Sequence, residues 1–414
     1  MNKSFLAKLL ILFLALQFLA SCAAPAPQST ATATIAAPNV TATPTLQPII
    51  ACQGQGALEE MGPDFGFPGT LVYFDTLLKK TVFFSGVTHQ VWDAPLTDAS
   101  YDLIGFSPNG EWLAYQSYQA TFHLFSSDGK KFEFDADPEP LMAILPESKD
   151  LKPPVWPAWV SDHVIAMAVI NPQEYDPFYH FMAYLDPFTK EWLLLDVYSL
   201  NDFFLYGRGI PSPDLSRIIY FPFVQNGNQY LTLVDVTTKE ELRALYNYSN
   251  FFVTEGAPYN YIAWTNGSEK VAFMDHNYES KLMLSIWSRD GKVIHEFLLD
   301  DYDDASVLRW SPDGNYLALG VSRRKGDSPL DVTYSILIYD QNLKQIIFSC
   351  PVTGDFYVRD LVWVSDEPAI VYSSDNGSYE QGRLIYLDFS DGISTLIAEN
   401  VRGFGGWSSE FSQP

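Results

Sequence analysis

Apolar residues in this chain come in short bursts. From about residue 55 onward, runs of roughly four to eight residues rich in Val, Ile, Leu, Tyr and Phe are punctuated by Gly, Asn, Asp, Ser and Pro, the pattern of strands joined by tight turns. No longer stretch carries the 3.6-residue period of an amphipathic helix, so the pattern predicts strands throughout. The bursts also repeat a phrase: an aromatic residue or Pro, a turn of Ser, Thr, Pro and Asp, then an apolar strand. Its fullest copies read Phe106-Ser-Pro-Asn-Gly-Glu-Trp-Leu-Ala-Tyr115 and Trp310-Ser-Pro-Asp-Gly-Asn-Tyr-Leu-Ala-Leu319. Other copies start at Trp159, Pro211, Trp264 and Trp363, with a truncated one at Trp407, so the anchors recur every 44 to 53 residues.

Between the anchors lies a second piece, an apolar strand ending near Asp, then a turn and another strand. Its copies span 70–75, 123–128, 182–186, 231–235, 284–290, 336–340 and 384–388. A period of this size built from short strands marks stacked supersecondary units, here the blades of a β-propeller. There are seven of these outer hairpins but six complete inner–outer pairs. The leftovers are an N-terminal hairpin at 70–86 and a C-terminal inner strand at 404–409. Joined, they make one more blade. The expectation is therefore all-β, a seven-bladed β-propeller closed by strands from both chain ends; a six-bladed ring with the terminal pieces padding a neighbouring sheet is the alternative.

The copies at Phe106 and Trp310 resemble the WD40-like PD40 repeat of TolB-type propellers. Pro211-Ser-Pro-Asp214 keeps the turn without its Gly, and the Trp159, Trp264 and Trp363 copies depart further. The resemblance implies a propeller domain over residues 55–414. It leaves function open, because that family includes envelope interaction proteins, the non-catalytic propellers of prolyl peptidases and many lipoproteins.

Residues 1–21 read as a signal peptide. Lys3 and Lys8 precede an apolar run from 9 to 19, too short to span a bilayer. The run ends in Leu19-Ala20-Ser21-Cys22, which resembles the lipobox of bacterial lipoproteins, where cleavage precedes the Cys and its thiol is diacylated. The resemblance implies acylation of Cys22, membrane lipid as a partner, and an extracytoplasmic, lipid-anchored place in the cell envelope. Ordinary secretory cleavage near Ala23-Ala24 is the alternative. Residues 22–54 then form a linker: from 23 to 50 the chain is mainly Ala, Pro and Thr without one charge, a composition that buries no core and reads as disordered. Extended like polyproline, it reaches about 90 Å.

Two more cysteines, Cys52 and Cys350, remain. An exported chain permits a disulfide between them, which would pin the linker to the head; two unrelated thiols are the other reading.

Linear signatures of catalysis are missing. Gly105-Phe-Ser107-Pro-Asn109 approaches a nucleophile elbow, but Asn109 stands where Gly is required and the repeat turn explains the rest. The six histidines form no His-x-x-x-His pair and no Cys-x-x-Cys occurs, so zinc has no local support and no cofactor is expected. Calcium is the one metal considered, at Asp301 and Asp303 within Asp300-Asp-Tyr-Asp-Asp304; that run lacks the Gly and Glu of an EF-hand loop, and a solvated acidic loop is the simpler reading. With 50 acidic against 25 basic residues, a formal charge of −25, the surface repels nucleic acid.

In a propeller, loops joining second to third strands gather with the inter-blade loops around one mouth of the channel, and rigid scaffolds carry function on such loops. Here those loops offer Tyr175, Tyr179, His180, His276, Tyr278 and Tyr379 for stacking or hydrogen bonding. Arg323 and Arg324 add adjacent cations in an acidic head. Packing between blades is the competing role for each tyrosine. The function expected is non-catalytic binding or scaffolding by a monomer, with a protein, peptide or glycan as ligand. The alternative is an enzyme of glycoside hydrolase or lyase type working at the channel mouth.

Overall fold

A computed structural model describes residues 50–52, 58–96, 101–117, 121–136, 155–170, 180–193, 208–221, 229–248, 261–276, 281–326, 331–352, 357–364, 368–375 and 382–412. Among these, thirty strands and no helix form seven sheets, each with an antiparallel core of four strands. Blades 1 to 4 occupy residues 101–135, 155–193, 208–248 and 262–298, and blades 5 and 6 occupy 304–351 and 357–399; in each, four successive strands pair in chain order. Blade 7 joins the two ends of the chain. The C-terminal strand Val401–Ser408 is its inner strand, followed outward by Thr70–Asp75, Lys80–Ser85 and Val91–Asp93. The register sets Leu71 opposite Trp407 and Thr70 opposite Ser408. This is the seven-bladed ring, closed by pairing strands from the two ends of the chain in one sheet.

One detail differs from the repeat count. The strand Thr70–Asp75, grouped with the outer hairpins, is the second strand of its blade, and Val91–Asp93 supplies the outer one. The reason is local. Asp75 caps its turn by accepting from the backbone N–H groups of Leu77 and Leu78, both at 2.8 Å, just as Asp186, Asp235 and Asp340 cap turns between third and fourth strands. An Asx-type cap reports a hairpin, not the rank of its strands.

The core lies between blades because each strand points alternate side chains at its two neighbours. Ala272 and Met274 of blade 4 pack with Leu317, Leu319 and Leu337 of blade 5, whereas Val271 and Phe273 pack with Ile210, Ile219 and Leu231 of blade 3. The repeated Trp has a second task. Trp159, Trp264, Trp310 and Trp363 donate their indole N–H to the carbonyls of Gly105, Ile210, Ala263 and Arg309 at 3.0–3.1 Å. Each acceptor immediately precedes the anchor of the blade before, so at four of the seven junctions the phrase staples inner strand to inner strand; Trp407 instead donates to the Pro68 carbonyl. Blades 1 and 7 approach too closely for any side chain at Gly105, where an added Cβ would sit 2.4 Å from the Gly405 carbonyl oxygen.

Two short segments reinforce the rim. Ile50–Ala51 adds in parallel to the outer strand of blade 5, Gln345–Pro351, and Leu58–Glu60 to that of blade 6, Ile393–Glu399. Pairing thus begins within the stretch that composition assigns to the linker. Between them Cys52 is bonded to Cys350, with Cα atoms 4.8 Å apart.

Candidate functional site at the channel mouth

Strand direction alternates across each blade, so one end of the ring carries the repeat turns and the other carries the second-to-third and inter-blade loops. At the first end side chains are committed to the turns themselves. Ser107 donates to Asn109 Oδ1 at 2.7 Å and accepts from the Trp112 N–H; Ser311 and Asp313 repeat the arrangement. Ser107 is therefore a buried turn residue, which accounts for the elbow-like sequence.

The second end, the mouth, gathers chemistry over blades 4 to 6. His276 closes the second strand of blade 4, Lys270–His276, and donates Nε2–H to the carbonyl of Asp303 at 2.7 Å. Asp303 lies in the connection to blade 5, where its carboxylate accepts the backbone N–H of Arg324 at 2.6 Å. Arg323 lies 3.8 Å from Asp301, and Lys281 pairs with Asp300 at 2.9 Å. The structure thus brings together five residues named from sequence: His276, Asp301, Asp303, Arg323 and Arg324. Asp301, Arg323 and Arg324 border an open polar depression of about 570 Å³, whose lining also includes Tyr302, Lys325, Gly326, Thr333 and Ser335. Asp301 and Asp303 each face a donor, and among the described residues no three His, Cys, Asp or Glu side chains converge as metal ligands would. Tyr175, Tyr179, Tyr278, Tyr379 and Cys22 lie outside the described residues; His180 starts the third strand of blade 2, His180–Asp186, with its side chain outside the description.

Sequence reasoning missed a second group, at the mouth ends of the inner strands. Asp304 and Tyr357 are the first residues of the inner strands of blades 5 and 6, each six positions before its anchor Trp, and Tyr261 directly precedes that of blade 4. Tyr261 and Tyr357 share a hydrogen bond beside Asp304. Burial chiefly, then its contact with Tyr261 and the Asp304 charge, pushes the Tyr357 phenol far up; burial and Asp304 raise Tyr261 likewise. Arg359 pairs with the buried Asp375 at this end, whereas Arg309 pairs with Asp360 across blades 5 and 6 at 2.9 Å further along the inner strands, beside the anchor Trp310. The signal available was position: inner strands run from the mouth to the anchors, so residues three to six before an anchor start there.

Asp275 is different. It is buried, and desolvation, opposed by the His276 N–H, lifts its carboxyl to about 7. Strand alternation turns it toward blade 3, on the side of Phe273, and His276 toward blade 5 with Met274.

No family model and no curated protein matches this chain. Solved structures similar to it include TolB from Acinetobacter baumannii, at 14% identity over 85% of this chain and 81% of that one, with a TM-score of 0.41. The Dos1 propeller is similar at 12% identity over 84% and 89%, TM-score 0.44. So is the dihydro-heme d1 dehydrogenase NirN, at 11% over 85% and 78%, TM-score 0.46. The chain is a seven-bladed β-propeller, and likeness at this level concerns the fold alone.

Proposed function

We propose that this protein is a lipid-anchored, extracytoplasmic binding scaffold, whose propeller presents its mouth over blades 4 to 6 to a ligand without catalysis. The observation supporting this is how the mouth's charged and phenolic groups are engaged. Arg359 with Asp375, Tyr261 with Tyr357 and His276 with a main-chain carbonyl form a rim of mutually held side chains. A prearranged polar surface of this kind suits recognition, where ordering costs have been met before binding. Cys22 supplies the anchor and the uncharged stretch after it the spacer, which ends where Ile50 and Cys52 join blade 5 of the head.

The test has two arms. Metabolic labelling with palmitate is expected to mark the chain and to be lost in Cys22→Ser. Capture of envelope components by the full chain is expected to survive Asn109→Ala at the repeat-turn end and to fail in Arg324→Glu at the mouth; the reverse pattern overturns the assignment. One observation favours an enzyme instead: a carboxyl poised near neutrality, Asp275, has the pKa of a general acid. Glycan turnover abolished by Asp275→Asn would establish that reading.

A further inference from the structure

The depression beside the connection into blade 5 holds cations that the local carboxylates engage weakly or not at all. Asp303 is satisfied by the backbone N–H of Arg324 rather than its guanidinium. Among the described residues no carboxylate pairs with the Arg324 side chain. Arg323 meets Asp301 at 3.8 Å, with the two side chains 57% and 80% exposed, a contact weak enough in water for a ligand to displace. One guanidinium fork thus stands open, and a second is held only by that exposed contact, in a chain carrying a formal charge of −25. Around them are the hydroxyls of Thr333 and Ser335, the ring of Tyr302 and the acceptor oxygens of Asp301.

We infer that this depression binds an acidic sugar, a uronic-acid unit of a glycan; the inference rests on the scaffold reading above and names its ligand. A guanidinium fork matches a carboxylate in two parallel hydrogen bonds. Thr333, Ser335 and Asp301 offer the mixed donors and acceptors that sugar hydroxyls require, and Tyr302 gives an amphipathic wall for the ring. An acidic peptide fits less well. The strands flanking the depression, Tyr316–Arg324 and Val332–Asp340, are each paired on both sides, so no backbone edge is free to take an extended chain.

Calorimetric titration of the full chain with trigalacturonate, maltotriose and triglutamate tests this. Trigalacturonate is expected to bind, more weakly as salt rises, while the other two do not. Arg323→Gln and Arg324→Gln are each expected to weaken it about tenfold, since a hydrogen bond to a charged group is lost. Both side chains are exposed, so an unchanged melting temperature shows that the variants fold. Trigalacturonate binding that is absent, unaffected by either substitution, or matched by maltotriose or triglutamate overturns the assignment. Loss of the sugar with mouth-dependent capture intact removes this ligand and leaves the scaffold. New reducing ends in the titration mixture would keep the ligand and overturn the non-catalytic reading.

Discussion

Replacing Trp310 by Phe tests what the repeated tryptophan does. Both partners of its hydrogen bond are buried, and the indole N–H reaches the Ala263 carbonyl at 3.0 Å. Phe keeps most of the ring but orphans that carbonyl, at about 1–3 kcal/mol for an unsatisfied buried acceptor. The smaller ring removes roughly 1 kcal/mol more by leaving space between blades 4 and 5. The sum is about 2–4 kcal/mol, which in a head of this size lowers the melting temperature by about 3–5 °C. Trp112→Phe is the control. Its indole packs on Phe132 and Phe188 with no indole hydrogen bond among the described residues. Urea unfolding followed by circular dichroism gives both midpoints. Equal losses in the two variants, or a loss under about 1 kcal/mol at Trp310, would refute the stapling role.

Four further outcomes are expected. Lys79 holds a φ of 54° at the end of the Asp75 turn, so Lys79→Gly should stabilise by about 0.5–1 kcal/mol, and Asp75→Ala should cost about 1 kcal/mol by removing the cap; unfolding midpoints decide both. Reducing Cys52–Cys350, which closes a span of 298 residues, should cost about 2–5 kcal/mol, read from melting with and without reductant beside thiol alkylation; thiols that alkylate without reductant would contradict the bond. Asp275 is neutral in the folded chain up to about 7, while unfolded Asp ionises near 4. Between those values the folded state holds the extra proton, so stability from this group is full below about 4 and falls as pH rises toward 7. Asp275→Asn should therefore match the parent at pH 4 and exceed it at pH 8, with a ceiling of about 4 kcal/mol; a constant difference across that range would contradict the assignment.

The blade count was legible because the phrase marks the same structural place each time, and closure followed from one unmatched piece at each end. What the phrase could not reveal was rank within blade 7, since the Asp75 turn has the same local chemistry as those at Asp186 and Asp340. The mouth was half legible. Arg323, Arg324, His276 and the Asp300–304 run sit in loops whose end of the ring follows from strand alternation, so their meeting could be foreseen. Tyr261, Tyr357 and Asp375 could not. They occupy strand ends in otherwise apolar runs, and only the register that sets Tyr357 opposite Asp375 turns them to a common rim. Lysines at positive φ were equally hidden, because Asp or Asn before Gly was the turn signal sought and Lys79, Lys190, Lys239 and Lys344 fill that position instead.

Hydrogen exchange on the full chain, with and without trigalacturonate, tests most directly whether the mouth over blades 4 to 6 is the working surface. Added protection is expected in 299–303 and 323–326, with none in the repeat turns near Ser107, Ser212 and Ser311. Protection confined to those turns or to the outer strands would place the working surface elsewhere and contradict the account.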